Sequence, residues 1–207
     1  VAGLLGNRSD YDHLELLLRE IDDASLLIQA VRMNVVVKNV TIYENFLQSL
    51  NEEEKEMLAE AVCSLPNLAQ LKVYYYSHYF IEPLQRIRPG KLKRLCLMFF
   101  PDRADDKTLS NLKRVLSDTI PGTSTQVGTY PTVMALECLS LRCHLMDDEF
   151  IQAIADVMEE NRTLNTLSFW GKNVLVSEKG NDASARIDFY LRLNQCGIRD
   201  LPLHVNA

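Results

Sequence analysis

Apolar residues recur along this chain as a strand-like triplet followed by a helical stripe. The clearest copy runs from Thr132 to Asn173. It reads Leu136-x-x-Leu139-x-Leu141, then an amphipathic run from Asp147 to Glu160, then Leu164-x-x-Leu167-x-Phe169. The two triplets start 28 residues apart. Alternation in the triplets and a 3.6-residue period between them predict a strand, a helix and a strand.

Upstream segments repeat this order. Val35 to Ile42 is rich in β-branched residues and reads as a strand. Asn51 precedes a helix whose first turn, Glu52 to Glu54, is acidic, and Glu54 completes a capping box. Met57, Leu58, Ala61 and Val62 form its inward stripe, and Leu68-x-x-Leu71-x-Val73 is the next strand. Leu92-x-x-Leu95-x-Leu97 is another.

The segments superpose when counted back from Val37, Leu68 and Leu164. Ten positions earlier stand Leu27, Leu58 and Ile154; seven earlier, Ala30, Ala61 and Val157. Six earlier stand Val31, Val62 and Met158; three earlier, Asn34, Leu65 and Asn161. One helix face thus keeps a fixed register against one strand, which is the signature of a solenoid.

The remaining stretches are less regular. A helix from Asp10 would carry Leu14, Leu17, Leu18 and Ile21 on one face, ahead of a second helix with Leu27, Ala30 and Val31 inward. Ser77 to Pro89 has room for a turn or two of helix around Leu84 and Ile87, with Pro83 in its first turn. Asp105 or Asp106 starts a helix with Leu109, Leu112, Val115, Leu116 and Ile120 inward, and Pro121 to Thr132 is a loop. This 101–132 insertion is either a slack connection or a functional loop. Gly171 to Asp182 reads as a polar loop. Ala183 to Gln195 is helical, with Ile187, Tyr190, Leu191 and Asn194 on one side and Gly197 as its stop. The whole, 1–207, forms one domain: a helical N-terminal cap (1–36), irregular repeats (37–170), and a loop with a capping helix (171–207).

The triplet plus amphipathic helix, clearest over Asp147 to Phe169, resembles the leucine-rich repeats of the ribonuclease-inhibitor-like subclass. The tail from Ile187 to Gly197 is similar to the end segment of its divergent algal and protist members. The resemblance implies an α/β right-handed solenoid, a horseshoe of about five strand units with the parallel sheet concave and the helices convex. The family places Asn or Cys three residues after each triplet, to bond backbone between turns. Here those positions hold Asn45, Tyr76, Phe100, His144 and Lys172, so only the first conforms.

In such a solenoid the residues between the core positions face the concavity. The column just after each triplet is Tyr43, Tyr74, Met98, Arg142 and Trp170. Tyr, Trp and Arg often anchor protein interfaces. Either these side chains meet a partner, or they cover one another and the inner turns. Lys72, Arg94 and Arg142 give the face a positive tint, which favours an acidic partner surface.

Composition narrows the alternatives. The chain has 207 residues, 47% hydrophobic, and a formal net charge of −6. That balance argues against a general nucleic-acid binder, which needs clustered cations. No apolar run is long enough for a membrane span. The sequence starts at Val1 without an initiator Met, which leaves a fragment or processed form open. Five cysteines, Cys63, Cys96, Cys138, Cys143 and Cys196, form no disulfide framework and read as reduced thiols in a cytoplasmic setting.

No catalytic, cofactor or metal motif stands out among the four histidines and eight glycines. Cys96, Cys138, Cys143 and His144 are spread over different strand faces, which disfavours zinc. The expected function is therefore non-enzymatic: a monomer, or part of a larger chain, that recognises a protein on Tyr43, Lys72, Tyr74, Arg94, Met98, Arg142 and Trp170, without cofactors. By analogy with the subclass it could regulate a small GTPase or serve as a ubiquitin-ligase substrate adaptor, though no F-box-like stretch is present. The alternative is an enzyme that uses the 101–132 insertion as a lid.

Overall fold

The computed structural model describes residues 12–17, 24–75, 77–84, 87, 91–99, 110, 113, 116, 136–143, 145–170, 173–174 and 177–197, without the side chains of 143, 145, 146, 160, 170, 173 and 174. Its strands are β1 (His13–Leu16), β2 (Asn39–Ile42), β3 (Gln70–Val73), β4 (Arg94–Phe99), β5 (Cys138–Cys143), β6 (Leu145–Met146), β7 (Thr166–Trp170) and β8 (Asn173–Val174). The helices are α1 (Ala24–Arg32), α2 (Glu44–Gln48), α3 (Glu52–Cys63), α4 (His78–Leu84), α5 (Asp148–Glu160) and α6 (Glu178–Gln195). Six strands form one parallel sheet in the order β1-β2-β3-β4-β5-β7, and β6 pairs with β8 separately. Sequential order with parallel pairing means that each strand lies one turn of the solenoid from the last.

The triplets hold this arrangement together. Val37, Val40 and Ile42, then Leu68, Leu71 and Val73, are fully buried, as are their counterparts at Leu92, Leu95, Leu97, Leu136, Leu139 and Leu141. The helix residues that superpose in sequence are buried too: Leu27, Leu58 and Ile154, Ala30, Ala61 and Val157, Val31, Val62 and Met158. A single apolar layer therefore joins the sheet to its helices. Removing this area from water is the main driving force, at roughly 25 cal/mol per Å².

Between turns the backbone is satisfied by a repeated device that needs no Asn or Cys ladder. The carbonyl one residue after each triplet start accepts two N–H groups of the next unit. Asp12 O accepts from Lys38 N and Asn39 N at 2.8 and 2.9 Å. Lys38 O does the same for Ala69 and Gln70, Ala69 O for Lys93 and Arg94, Lys93 O for Glu137 and Cys138, and Glu137 O for Asn165 and Thr166. The exposed Asn45, the one residue that fits the family pattern, lies in α2 instead. The buried asparagines Asn34 and Asn161, three positions before a triplet, shape the turns. Asn34 Oδ1 accepts from Val36 N and Val37 N at 2.9 and 2.8 Å. Asn161 Oδ1 accepts from Thr163 N and Leu164 N at 3.2 and 2.8 Å.

Several sequence expectations are corrected. There are six strands in the main sheet, not five, because His13–Leu16 is strand β1 rather than part of a helix from Asp10. The N-terminal unit is thus not wholly helical. Leu14 and Leu16 are buried while His13 and Glu15 point away. Pairing with β2 uses this alternation, and it leaves Leu17 51% exposed. Residues 18–23, which carry Leu18 and Ile21, lie outside the described ones. The short helix α2 was not foreseen, though its buried Phe46 and Leu47 supply a hydrophobic anchor. Pro83 sits near the end of α4, where the missing N–H costs only the last turn.

The capping box of α3 forms as expected: Asn51 Oδ1 accepts from Glu54 N, and Glu54 Oε2 accepts from Asn51 N, both at 2.9 Å. Helix α6 starts earlier than expected, capped by Ser177. It packs on α5, with Ile187, Leu191 and Asn194 buried. Asn194 Nδ2 donates to Leu164 O at 2.9 Å, tying the helix to the last repeat. Gly197, at φ 65°, takes the left-handed conformation that ends it. Most of the 101–132 insertion lies outside the described residues; Leu116 within it is buried, and its carbonyl accepts from Asn161 Nδ2 at 2.8 Å.

Candidate functional site

The sheet face away from the core is the candidate site, and the strand register decides which side chains meet there. Ile42 pairs with Val73, Val73 with Leu97, Leu97 with Leu141, and Leu141 with Phe169. The residues one step further therefore line up as a lateral row: Tyr43, Tyr74, Met98, Arg142 and Trp170. Met98–Arg142 and Arg142–Trp170 are themselves registered pairs.

At one end of the row Tyr43 stacks on Tyr74, with ring centroids 5.2 Å apart and planes 22° from parallel. Both are half-buried. Burial, the first cause, and nearby Cys96 and Tyr43 push the Tyr74 phenol above its ordinary pKa, while Arg142 pulls the other way. These four groups are therefore electrostatic neighbours. The backbone turns off the strand at Tyr75, whose φ of 68° is unusual for a bulky residue. Such a conformation costs about 1–2 kcal/mol and fixes where Tyr74 is presented.

Met98 departs from expectation. It belongs to the row, yet it is only 6% exposed. Alternation sets the side on which a side chain emerges and not what covers it there. Beneath it, Ser77 fastens the β4 backbone: its Oγ donates to Met98 O at 2.8 Å and accepts from Met98 N at 2.9 Å. Met98 is therefore a packed member of the face rather than an open contact. The Trp170 indole lies outside the described side chains.

Next to this row is an open depression of about 240 Å³ spanning β3, β4, β5 and β7. Gln70, Lys72, Arg94, Cys96, Cys138, Ser140, Thr166 and Ser168 line it, over Leu71, Leu95 and Leu139. Register places Lys72 beside Cys96 and Arg94 beside Cys138. Arg94 and Arg142 are exposed, and Lys72 is half-buried. Among the described residues none of the three cations has an ion-pair partner, whereas Lys93, the residue before Arg94, pairs with Glu137 at 2.8 Å.

Sequence reasoning missed the first strand's share of this face. His13, Glu15 and Leu17 continue it past β2, with His13 and Glu15 3.3 Å apart and Leu17 in line with Tyr43. The available signal was Tyr11-x-x-Leu14-x-Leu16, which matches the other triplets. Cys143 and His144 contribute no described side chains. No described helix is long and apolar enough to cross a membrane.

No protein-family model matches the chain, and no curated protein matches its sequence. Solved structures do match. One is the tropomodulin C-terminal domain from Caenorhabditis elegans, at 14% identity and a TM-score of 0.52, covering 86% of this chain and 96% of that one. Another is actin-binding site 2 of leiomodin-1, at 13% identity and a TM-score of 0.41, covering 96% of this chain and 89% of that one. The second score is too low to carry an argument. The likeness to the tropomodulin domain overturns the assignment to the ribonuclease-inhibitor-like subclass and its divergent algal and protist members. The missing Asn/Cys ladder gives the physical reason. What the likeness establishes is the fold, an α/β leucine-rich-repeat-like solenoid similar to the tropomodulin C-terminal domain.

Proposed function

We propose that this domain is a non-enzymatic protein-recognition module whose partner lies against the open face of the sheet. The single observation that carries this reading is the row after the triplets. It brings a stacked tyrosine pair and an exposed arginine together beside a shallow depression. Tyrosine and arginine contribute large contact area and directional bonds at modest entropic cost, and truncating such anchors commonly costs 2 kcal/mol or more, about 30-fold in affinity. An open depression of this size suits side chains of a protein partner better than an enclosed small molecule, whose sites usually bury most of the ligand.

The test compares the wild type with Tyr74→Ala/Arg142→Ala and with Glu56→Lys on the exposed side of α3, using affinity capture and quantitative mass spectrometry. The face variant should lose a partner that the helix variant retains, at unchanged melting temperature. Retention of every partner by the face variant would remove this face from consideration.

A further inference from the structure

We propose that the depression across β3, β4, β5 and β7 docks an extended, carboxylate-rich segment of the partner protein, with Lys72 and Arg94 each taking one carboxylate. This rests on the recognition reading above and names the chemistry of what is recognised.

Three observations carry it. The first is the lining: two cations, an amide, hydroxyls and thiols, with no Asp or Glu. The second is that Lys72 and Arg94 are unpaired among the described residues, although the chain as a whole carries −6 and acidic groups pair with cations elsewhere. A locally positive depression on an acidic protein favours acidic segments and disfavours basic ones. Among the described strand residues, the carboxylate on this face is Glu15, at the β1 edge beside His13.

The third observation is spacing. Gln70 pairs with Arg94 and Lys72 with Cys96, so Lys72 and Arg94 are diagonal neighbours on adjacent strands. Strand spacing and rise put their Cα atoms about 8 Å apart, close to the ~6.6 Å between alternate residues of an extended chain. Two carboxylates at i and i+2 of such a segment can meet both cations. A phosphate prefers several donors converging on one point; here the cations stand on separate strands.

Cys96 and Cys138 line the same depression and provide the readout. Alkylation by iodoacetamide, a neutral reagent, is followed at each thiol by peptide mass spectrometry. The probes are synthetic ten-residue peptides of alternating Glu and Thr, alternating Lys and Thr, and alternating phosphoserine and Thr. The Glu peptide should slow alkylation of both thiols by about threefold or more at low salt, and the protection should fade at ~0.5 M salt. It should vanish in Lys72→Glu/Arg94→Glu, or in the Gln pair at those positions if the reversal does not fold. Absence of protection by the Glu peptide, equal protection by the Lys peptide, or unchanged protection in the variant each overturns the proposal. Stronger protection by the phosphoserine peptide overturns it in favour of a phosphate site. If Tyr74→Ala/Arg142→Ala abolishes partner capture while Lys72→Glu/Arg94→Glu leaves it intact, the recognition reading stands and this inference fails.

Discussion

Replacing Asn161 by Ala tests whether the turn asparagines, rather than a conventional Asn ladder, hold the repeats in register. Asn161 is buried at the end of α5 and spans two parts of the fold. Its Oδ1 accepts from Leu164 N at 2.8 Å and from Thr163 N at 3.2 Å, and its Nδ2 donates to Leu116 O at 2.8 Å. The bonds to Leu164 and Leu116 are buried, and the bond to Thr163 is partly so. Truncation leaves one buried donor and one buried acceptor without this partner. At about 1–3 kcal/mol each, with water reaching part of the site, the expected loss is ~2–4 kcal/mol. For a chain of this size a 3 kcal/mol loss lowers the melting temperature by about 6–12 °C.

The equivalent change at Asn34 should cost less, about 1–2 kcal/mol. Of its bonds to Val36 N and Val37 N, the one to Val37 is buried and the other only partly so. Thermal unfolding followed by far-ultraviolet circular dichroism measures both. If Asn161→Ala shifts the midpoint no more than an exposed substitution does, about 2 °C or less, the turn bonds do not carry the register.

Two further outcomes follow from the N-terminal strand and the C-terminal cap. Leu16→Lys should destabilise by several kcal/mol, because it buries an unpaired charge, while Leu17→Lys stays within about 0.5 kcal/mol; urea unfolding decides, and equal costs would contradict β1. Asp148 accepts from the Ser177 hydroxyl and, at 3.0 Å, from Ser177 N, and these bonds hold its pKa below the ordinary value. Because folding lowers this pKa, the contact contributes stability above the unfolded value of about 3.9. That contribution is lost as pH falls through the folded value. Carboxyl titration by nuclear magnetic resonance should find Asp148 below 3.9 in the wild type and higher in Ser177→Ala; an unchanged midpoint would refute the assignment.

What was legible in the sequence is what the backbone period imposes. Leu139 and Leu141 alternate because a strand has period two, and Leu58, Ala61 and Val62 share a stripe because a helix has period 3.6. Burying both against one layer fixes their relative register, so the superposed positions are core positions. The helical reading failed at Leu14 and Leu16 because the leucines there satisfy either period over so short a stretch. Pairing with β2, a contact to residues over twenty positions away, decides between them. The candidate site divides along the same line. That Tyr43, Tyr74 and Arg142 share a face follows from alternation within each strand. That Lys72 stands beside Cys96, and Arg94 beside Cys138, depends on lateral pairing across connections of very different length. Equal offsets from each triplet supply that pairing, which makes the lateral chemistry readable once the triplets are aligned. The burial of Met98 is not readable in this way, because it depends on the shape of whatever covers the face. The same reasoning limits what the face can say about its partner: residue type and spacing select a charge pattern, and the fold contributes only the distance at which that pattern is presented.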